Sequence, residues 1–197
     1  MQTPGIFKEK SKGDICYRIE DYLFLDGGIW VEGEFTAEKA DEILSMIKIL
    51  ESRYEKDAKN NMITLFINSH GGDMLGGLNV YEALRNTELN VRTVVTGYAC
   101  SIAGIIFLAG EERLMMPYTQ FHMHEPRNFG CGEGTIEGMS RTLSDLIYYK
   151  DLLKDIVASR TKLDKKTIEK LITNKDAFFH PDDAIDHGIA TGIISKL

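Results

Sequence analysis

Residues 62–68, MITLFIN, run apolar almost without interruption and stop abruptly at SHGGDMLGG. A run of that length bounded by a glycine turn reads as a strand with both sheet faces covered, the condition of a parallel sheet. A helix is expected after it, from about Leu78 to Asn86, and VRTVVT (91–96) repeats the strand signal. Gly97-Tyr98-Ala99-Cys100-Ser101 then leads into a helix of small and apolar residues, Ile102 to Ala109, and RLMMP and TQFHMH read as short strands. Upstream, Tyr22 to Glu34 reads as one or two strands interrupted by Gly27 and Gly28, with IWVEGEF alternating in the strand period. From Thr36 to about Tyr54, Ala40, Ile43, Leu44, Ile47 and Leu50 recur at helical spacing behind a Thr36 N-cap. Strand and helix alternating in this way predict an α/β fold with stacked right-handed crossovers.

The second half opens differently. After Gly130, Gly132 and Gly134, a helix to about Arg160 carries Ile136, Met139, Leu143, Leu146, Leu153 and Val157 three and four apart, with Lys150 polar in the seam. About 27 helical residues span roughly 40 Å, an overhang for one small domain. An apolar stripe on such a helix docks on another subunit or packs across its own core, and the pattern alone weights both equally. Shorter helices follow near Lys165–Thr173 and from Pro181 to Gly188, and ATGIISKL closes as a strand.

The 197 residues fit one domain, read here as 16–197 behind a polar, mobile arm at 1–15. Thirty acidic residues against 23 basic give a net charge of −7, which argues against a nucleic-acid module and its basic face. The N-terminus turns charged within eight residues and shows no apolar leader segment. The longest apolar run, around Ile102 to Ala109, is far short of a membrane span. Cys16, Cys100 and Cys131 form neither a disulfide framework nor a metal-ligand spacing. A cytoplasmic protein without membrane or nucleic-acid partners is expected.

Four local features can carry chemistry. Ser69-His70-Gly71-Gly72 closes a strand with two glycines that turn the backbone and can present N–H groups to an oxyanion, although the same residues make an ordinary turn. Ser101 stands where a strand breaks into a helix, so it is either an exposed nucleophile beside a helix N-terminus or an N-cap. His122 and His124, two apart in a strand, share a face. They offer a general base, a pair of metal ligands lacking a third partner, or hydrogen-bonded structural residues. Asp176 precedes Phe178 and Phe179 and is either a buried, paired carboxylate or the start of a turn.

Their co-occurrence in order is more specific than any one of them. The blocks LFINSHGGDMLGGLNVYEAL, TGYACSIAGIIFLAGEERLMMP, FHMHEP and KDAFFHPDDAIDHGIATGII resemble those of the Clp-type caseinolytic serine proteases, the ClpP family, from about Gly13 to Ile194. The resemblance implies a crotonase-like α/β spiral of βαβ units with a long protruding handle helix. It implies Ser101 as nucleophile, His124 as general base and Asp176 as third triad member, with the backbone N–H groups of Gly72 and Ile102 as oxyanion hole. Heptameric rings stacked as a tetradecamer, an AAA+ unfoldase partner, unfolded proteins and peptides as substrates, a pore-gating role for the arm, and no metal or cofactor come with it. The long helix would then serve assembly.

Departures from the family pattern are specific. His70 stands where the family usually has Pro, Ile102 where it has Met, Glu125 where it has Gln, and Lys175 where an Arg couples subunit contacts to the triad. His122 takes a usually apolar position, which argues against a second base. Thr64 and Phe66 stand where two aromatic residues often line the unfoldase pocket. The alternatives are a ring subunit that does not cut, an acyl-CoA enzyme of the crotonase fold, and metal hydrolysis through the two histidines. Cys100, next to Ser101, reads as an inward-packed apolar group.

Overall fold

The computed structural model describes residues 6–8, 15–54, 61–127, 134–173 and 175–196. Most of the expected arm, residues 1–5 and 9–14, and Gly130 and Gly132 ahead of the long helix lie outside these residues. The elements in chain order are β1 (Ile6–Lys8), β2 (Ile15–Tyr17), α1 (Ile19–Leu25), β3 (Gly28–Phe35), α2 (Ala37–Arg53), β4 (Met62–Gly72), α3 (Met74–Asn86) and β5 (Asn90–Cys100). They continue as α4 (Ile102–Leu108), β6 (Glu112–Met115), β7 (Gln120–Met123), α5 (Ile136–Arg160), α6 (Lys165–Ile172), β8 (Ala177–Phe179), α7 (Pro181–Asp186) and β9 (Gly192–Ile193). β1 and β2 pair antiparallel, apart from the main sheet.

The main sheet runs β3-β4-β5-β6-β9 with every neighbour parallel, the topology that strand–helix–strand crossovers produce. Beyond its pairing with β4, β5 is long enough to serve two further partners. Its residues 92–95 pair with β6, while Tyr98, Ala99 and Cys100 pair in parallel with Gln120, Phe121 and His122 of β7. β8 then adds antiparallel to β7. The split brings the end of β5 beside the histidine-bearing strand.

β4 alternates where continuous burial was expected. Ile63, Leu65 and Ile67 are fully buried, whereas Thr64 and Phe66 are partly exposed and Phe66 stacks on Trp30 with ring centroids 4.8 Å apart. α2 follows its sequence pattern closely. Thr36 Oγ1 accepts from the Lys39 N–H, and Ala40, Ile43, Ile47 and Leu50 face the core.

Two expectations are corrected. Tyr22 to Leu25 are helical rather than extended, in α1, which Gly27 ends at φ 81° with its N–H on the Phe24 carbonyl. α3 begins at Met74, four residues before the expected Leu78, because Asp73 caps it through the Gly76 N–H at 2.6 Å. Gly76 and Gly77 look like turn residues, yet they lie inside the helix and serve close packing. A Cβ at Gly76 would stand 2.8 Å from Ala40 Cβ, and one at Gly77 would stand 2.1 Å from Ile102 Cγ1.

The C-terminal segments are tied on by one buried cation. Arg113 donates to the carbonyls of Gly110, Arg160, Gly188 and Ile189 at 2.7–3.2 Å, binding β6 to the ends of α5 and α7. α5 has 25 residues, about 37 Å of helix. Leu153, Ile156 and Val157 pack on the core, while Ile136, Met139, Leu143, Ile147 and Tyr148 of its first half are exposed in the single chain. Among the described residues no helix is long and apolar enough to cross a membrane.

Candidate active site

Ser101 stands at the β5–α4 junction with φ 56° and ψ −127°, the only non-glycine residue at positive φ among those described. A serine acting as N-cap holds an extended backbone and lends its oxygen to the helix. Ser101 does neither, since no side-chain cap bond is made. The strained backbone is held by the Ser101 N–H donating to the His122 carbonyl at 2.9 Å, and by the Ser101 carbonyl accepting from Gly104 and Ile105. The result is a sharp strand-to-helix elbow whose hydroxyl makes no hydrogen bond among the described residues.

The end of β4 lies against this elbow. Gly71 takes φ 91°, and a Cβ there would meet Ser101 Cβ at 2.8 Å and the Ile102 nitrogen at 3.2 Å. Glycine thus leaves open the space before the first N–H of α4, a donor with no acceptor inside the helix. Gly72 cannot carry a side chain either, since a Cβ would lie 2.2 Å from the Phe35 carbonyl oxygen. Two side chains wire this turn, Ser69 of the expected motif and Asn68, which carried no sequence signal. Ser69 Oγ donates to the Gly33 carbonyl and accepts from the Gly71 N–H, and Asn68 Oδ1 accepts from the Tyr98 N–H. His70 is stacked on Tyr98.

Ser101 and His124 line one apolar cavity with Met74, Ile105, Met123 and Leu153. Asp176 is elsewhere engaged. Its carboxylate pairs with Arg127 through Oδ1, and Oδ2 faces His122 Nε2 at 3.5 Å. His124 Nδ1 is bonded to the Glu125 carbonyl at 2.5 Å, and among the described residues no His124–Asp176 pair forms. Two of the sequence-expected site residues therefore share a cavity, and the third is held beside the other histidine. Arg127 carried no sequence signal.

A charge network sets the His124 loop against the helices. Lys150 of α5 bridges Glu125 at 2.7 Å and Glu169 of α6 at 2.5 Å, and Lys154 bonds the other Glu169 oxygen and Asp151. The two ammonium groups, Lys150 first, hold the Glu169 carboxyl down at about 2. The Glu125 and Glu169 carboxylates in turn raise Lys150. Cys100 is buried, and desolvation pushes its thiol up to about 11, so it carries no thiolate at neutral pH. No three His, Cys, Asp or Glu side chains among the described residues cluster to hold a metal ion.

A sequence model described as Clp protease matches residues 11–197. The chain belongs to the Clp protease family. It is a Clp-type serine peptidase, similar along its whole length to curated relatives. One, from Ligilactobacillus salivarius (strain UCC118), is 29% identical over 197 residues, 98% of this chain and 96% of the relative. Another, from Leuconostoc citreum (strain KM20), is 27% identical over 195 residues, 98% of this chain and 95% of the relative. Both are named ATP-dependent Clp protease proteolytic subunit.

Proposed function

We propose that the chain is the peptidase subunit of a self-compartmentalised protease, cutting unfolded proteins and peptides with Ser101, His124 and Asp176. The observation that carries this reading is the uncapped, positive-φ Ser101 on a cavity shared with His124. Ser101 Oγ attacks the scissile carbonyl and its proton passes to His124. The oxyanion is received by the Ile102 and Gly72 N–H groups, an interaction that costs about 3–4 kcal/mol when one donor is lost. His124 then gives the proton to the leaving amine as the C–N bond breaks, and water repeats the sequence on the acyl-enzyme. Asp176 supports the imidazolium once it exchanges Arg127 for His124. The hydrolysis itself uses no ATP, metal or organic cofactor.

The fold is read as a crotonase-like spiral in one domain over 16–197, with residues 1–15 as a gating arm. α5 is its handle, and the exposed Ile136, Met139, Leu143 and Ile147 support a role in stacking heptameric rings into a tetradecamer. An AAA+ unfoldase would feed the chamber, and the cytoplasm is its expected setting. The names of the two relatives support an ATP-driven partner. One observation favours a second reading, a ring subunit that does not cut: the Asp176 carboxylate is held by Arg127. Peptide turnover by the purified protein and by Ser101→Ala separates the two. The proposal expects turnover that Ser101→Ala abolishes with particle size unchanged, and equal rates from both proteins would refute it.

A further inference from the structure

His122 is a half-buried titratable group that the proposed chemistry leaves unused. It lies in β7, two residues before His124, and directly opposite Phe178 of β8. The Phe178 ring stacks on it at 4.3 Å and 13°, fixing the imidazole plane. Its Nε2 is buried without a hydrogen-bond partner among the described residues, and Asp176 Oδ2 lies 3.5 Å from it. The His124 ring is 5.4 Å away, centroid to centroid. Asp176, His124 and Arg127 are the charged or titratable groups that act on it. Cys100, its register partner on β5, is a neutral thiol.

We infer that His122 is a positioning residue that competes with His124 for the Asp176 carboxylate, releasing it only while the His122 imidazole is uncharged. This rests on the Ser101–His124–Asp176 reading. A neutral ring at 3.5 Å makes no hydrogen bond worth the name, so Asp176 is free to turn on that side. Protonation changes the balance. An imidazolium whose Nε2 is shut off from water needs a partner, and the carboxylate within reach is Asp176. A short charge-assisted bond would then hold it, with Arg127 on its other oxygen. His124 would lose the group that stabilises its own positive charge in the transition state.

Burial, then the neighbouring His124, lower the His122 pKa, with Arg127 adding to the effect and Asp176 opposing it. The lock therefore engages below the ordinary histidine range. Activity would then fall with the uptake of two protons, one by the general base and one by His122. For a two-proton limb kcat/KM drops about 100-fold per pH unit, against about 10-fold for one proton.

The test is the acid limb of kcat/KM for a short fluorogenic peptide, measured on the assembled wild-type protein, His122→Met and His122→Phe, with Ser101→Ala as control. The inference expects a wild-type limb that steepens to a slope of two and a slope of one in either variant. A slope of one in the wild type overturns it, whether or not the variants assemble, as does a slope of two surviving in a variant. If Ser101→Ala retains turnover, the catalytic reading itself fails. If Ser101→Ala is inactive and the slopes do not differ, only the role of His122 fails.

Discussion

Gly77→Ala probes how tightly α3 holds the Ser101 elbow. The new Cβ would stand 2.1 Å from Ile102 Cγ1, where carbon atoms pack best at about 3.5–4.0 Å. Ile102 is only 2% exposed and cannot turn outward, so α3 and the start of α4 must separate by more than about 1 Å to restore contact. Overpacking of this kind costs about 1–3 kcal/mol, offset by up to about 1 kcal/mol because alanine is the better helix former. The functional effect is larger. Misplacing the Ile102 N–H and Ser101 by about 1 Å is expected to slow acylation about 100-fold. Ile102→Ala removes the atoms that clash and keeps the N–H, at about 2–5 kcal/mol for the cavity. The two substitutions together should be less damaging than their sum by about 0.5–3 kcal/mol. The assay is urea unfolding at fixed protomer concentration, with the rate of fluorophosphonate acylation measured in parallel. A Gly77→Ala protein as stable and as fast as wild type would refute the packing account, and so would a strictly additive double variant.

Two other predictions concern titration and thiol chemistry. Glu169 is depressed from 4.5 to about 2 by Lys150 and Lys154, so its contribution is fully present above pH 4.5 and lost as pH falls toward about 2. Acid unfolding followed by circular dichroism should lose stability across that window in the wild type and less steeply in Glu169→Gln, and equal profiles would contradict the network. Exposed Cys16 should react with iodoacetamide at neutral pH while buried Cys100, raised to about 11, stays unmodified. Peptide mass spectrometry showing Cys100 modified first would count against its inward packing.

Much of the fold was legible because its signals are local. The apolar periods of MITLFIN, VRTVVT and α2 report which residues face the core, and the small residues around Ser101 mark the strand-to-helix turn. α1 escaped because seven residues with none buried carry no amphipathic pattern. The start of α3 escaped because glycine is read as a turn residue, whereas Gly76 and Gly77 are needed for contacts with Ala40 and Ile102, far away in sequence. The site divides in the same way. The family blocks point to Ser101, His124 and Asp176, and the structure brings the first two to one cavity. The Arg127–Asp176 pair joins residues 49 apart, and Arg113 reaches carbonyls as many as 76 residues away. Such pairings are decided by topology, which lays β8 beside β7 although many residues separate them in sequence. His122 shows the limit of the family pattern, because a position expected to be apolar holds the imidazole facing the acid.

The central claim is that Ser101 is an activated nucleophile. The most direct measurement is fluorophosphonate labelling of the purified protein with the modified residue mapped by peptide mass spectrometry. Labelling at Ser101, absent in Ser101→Ala, is the expected result. Labelling at another serine, or none while the protein hydrolyses peptides, would contradict it.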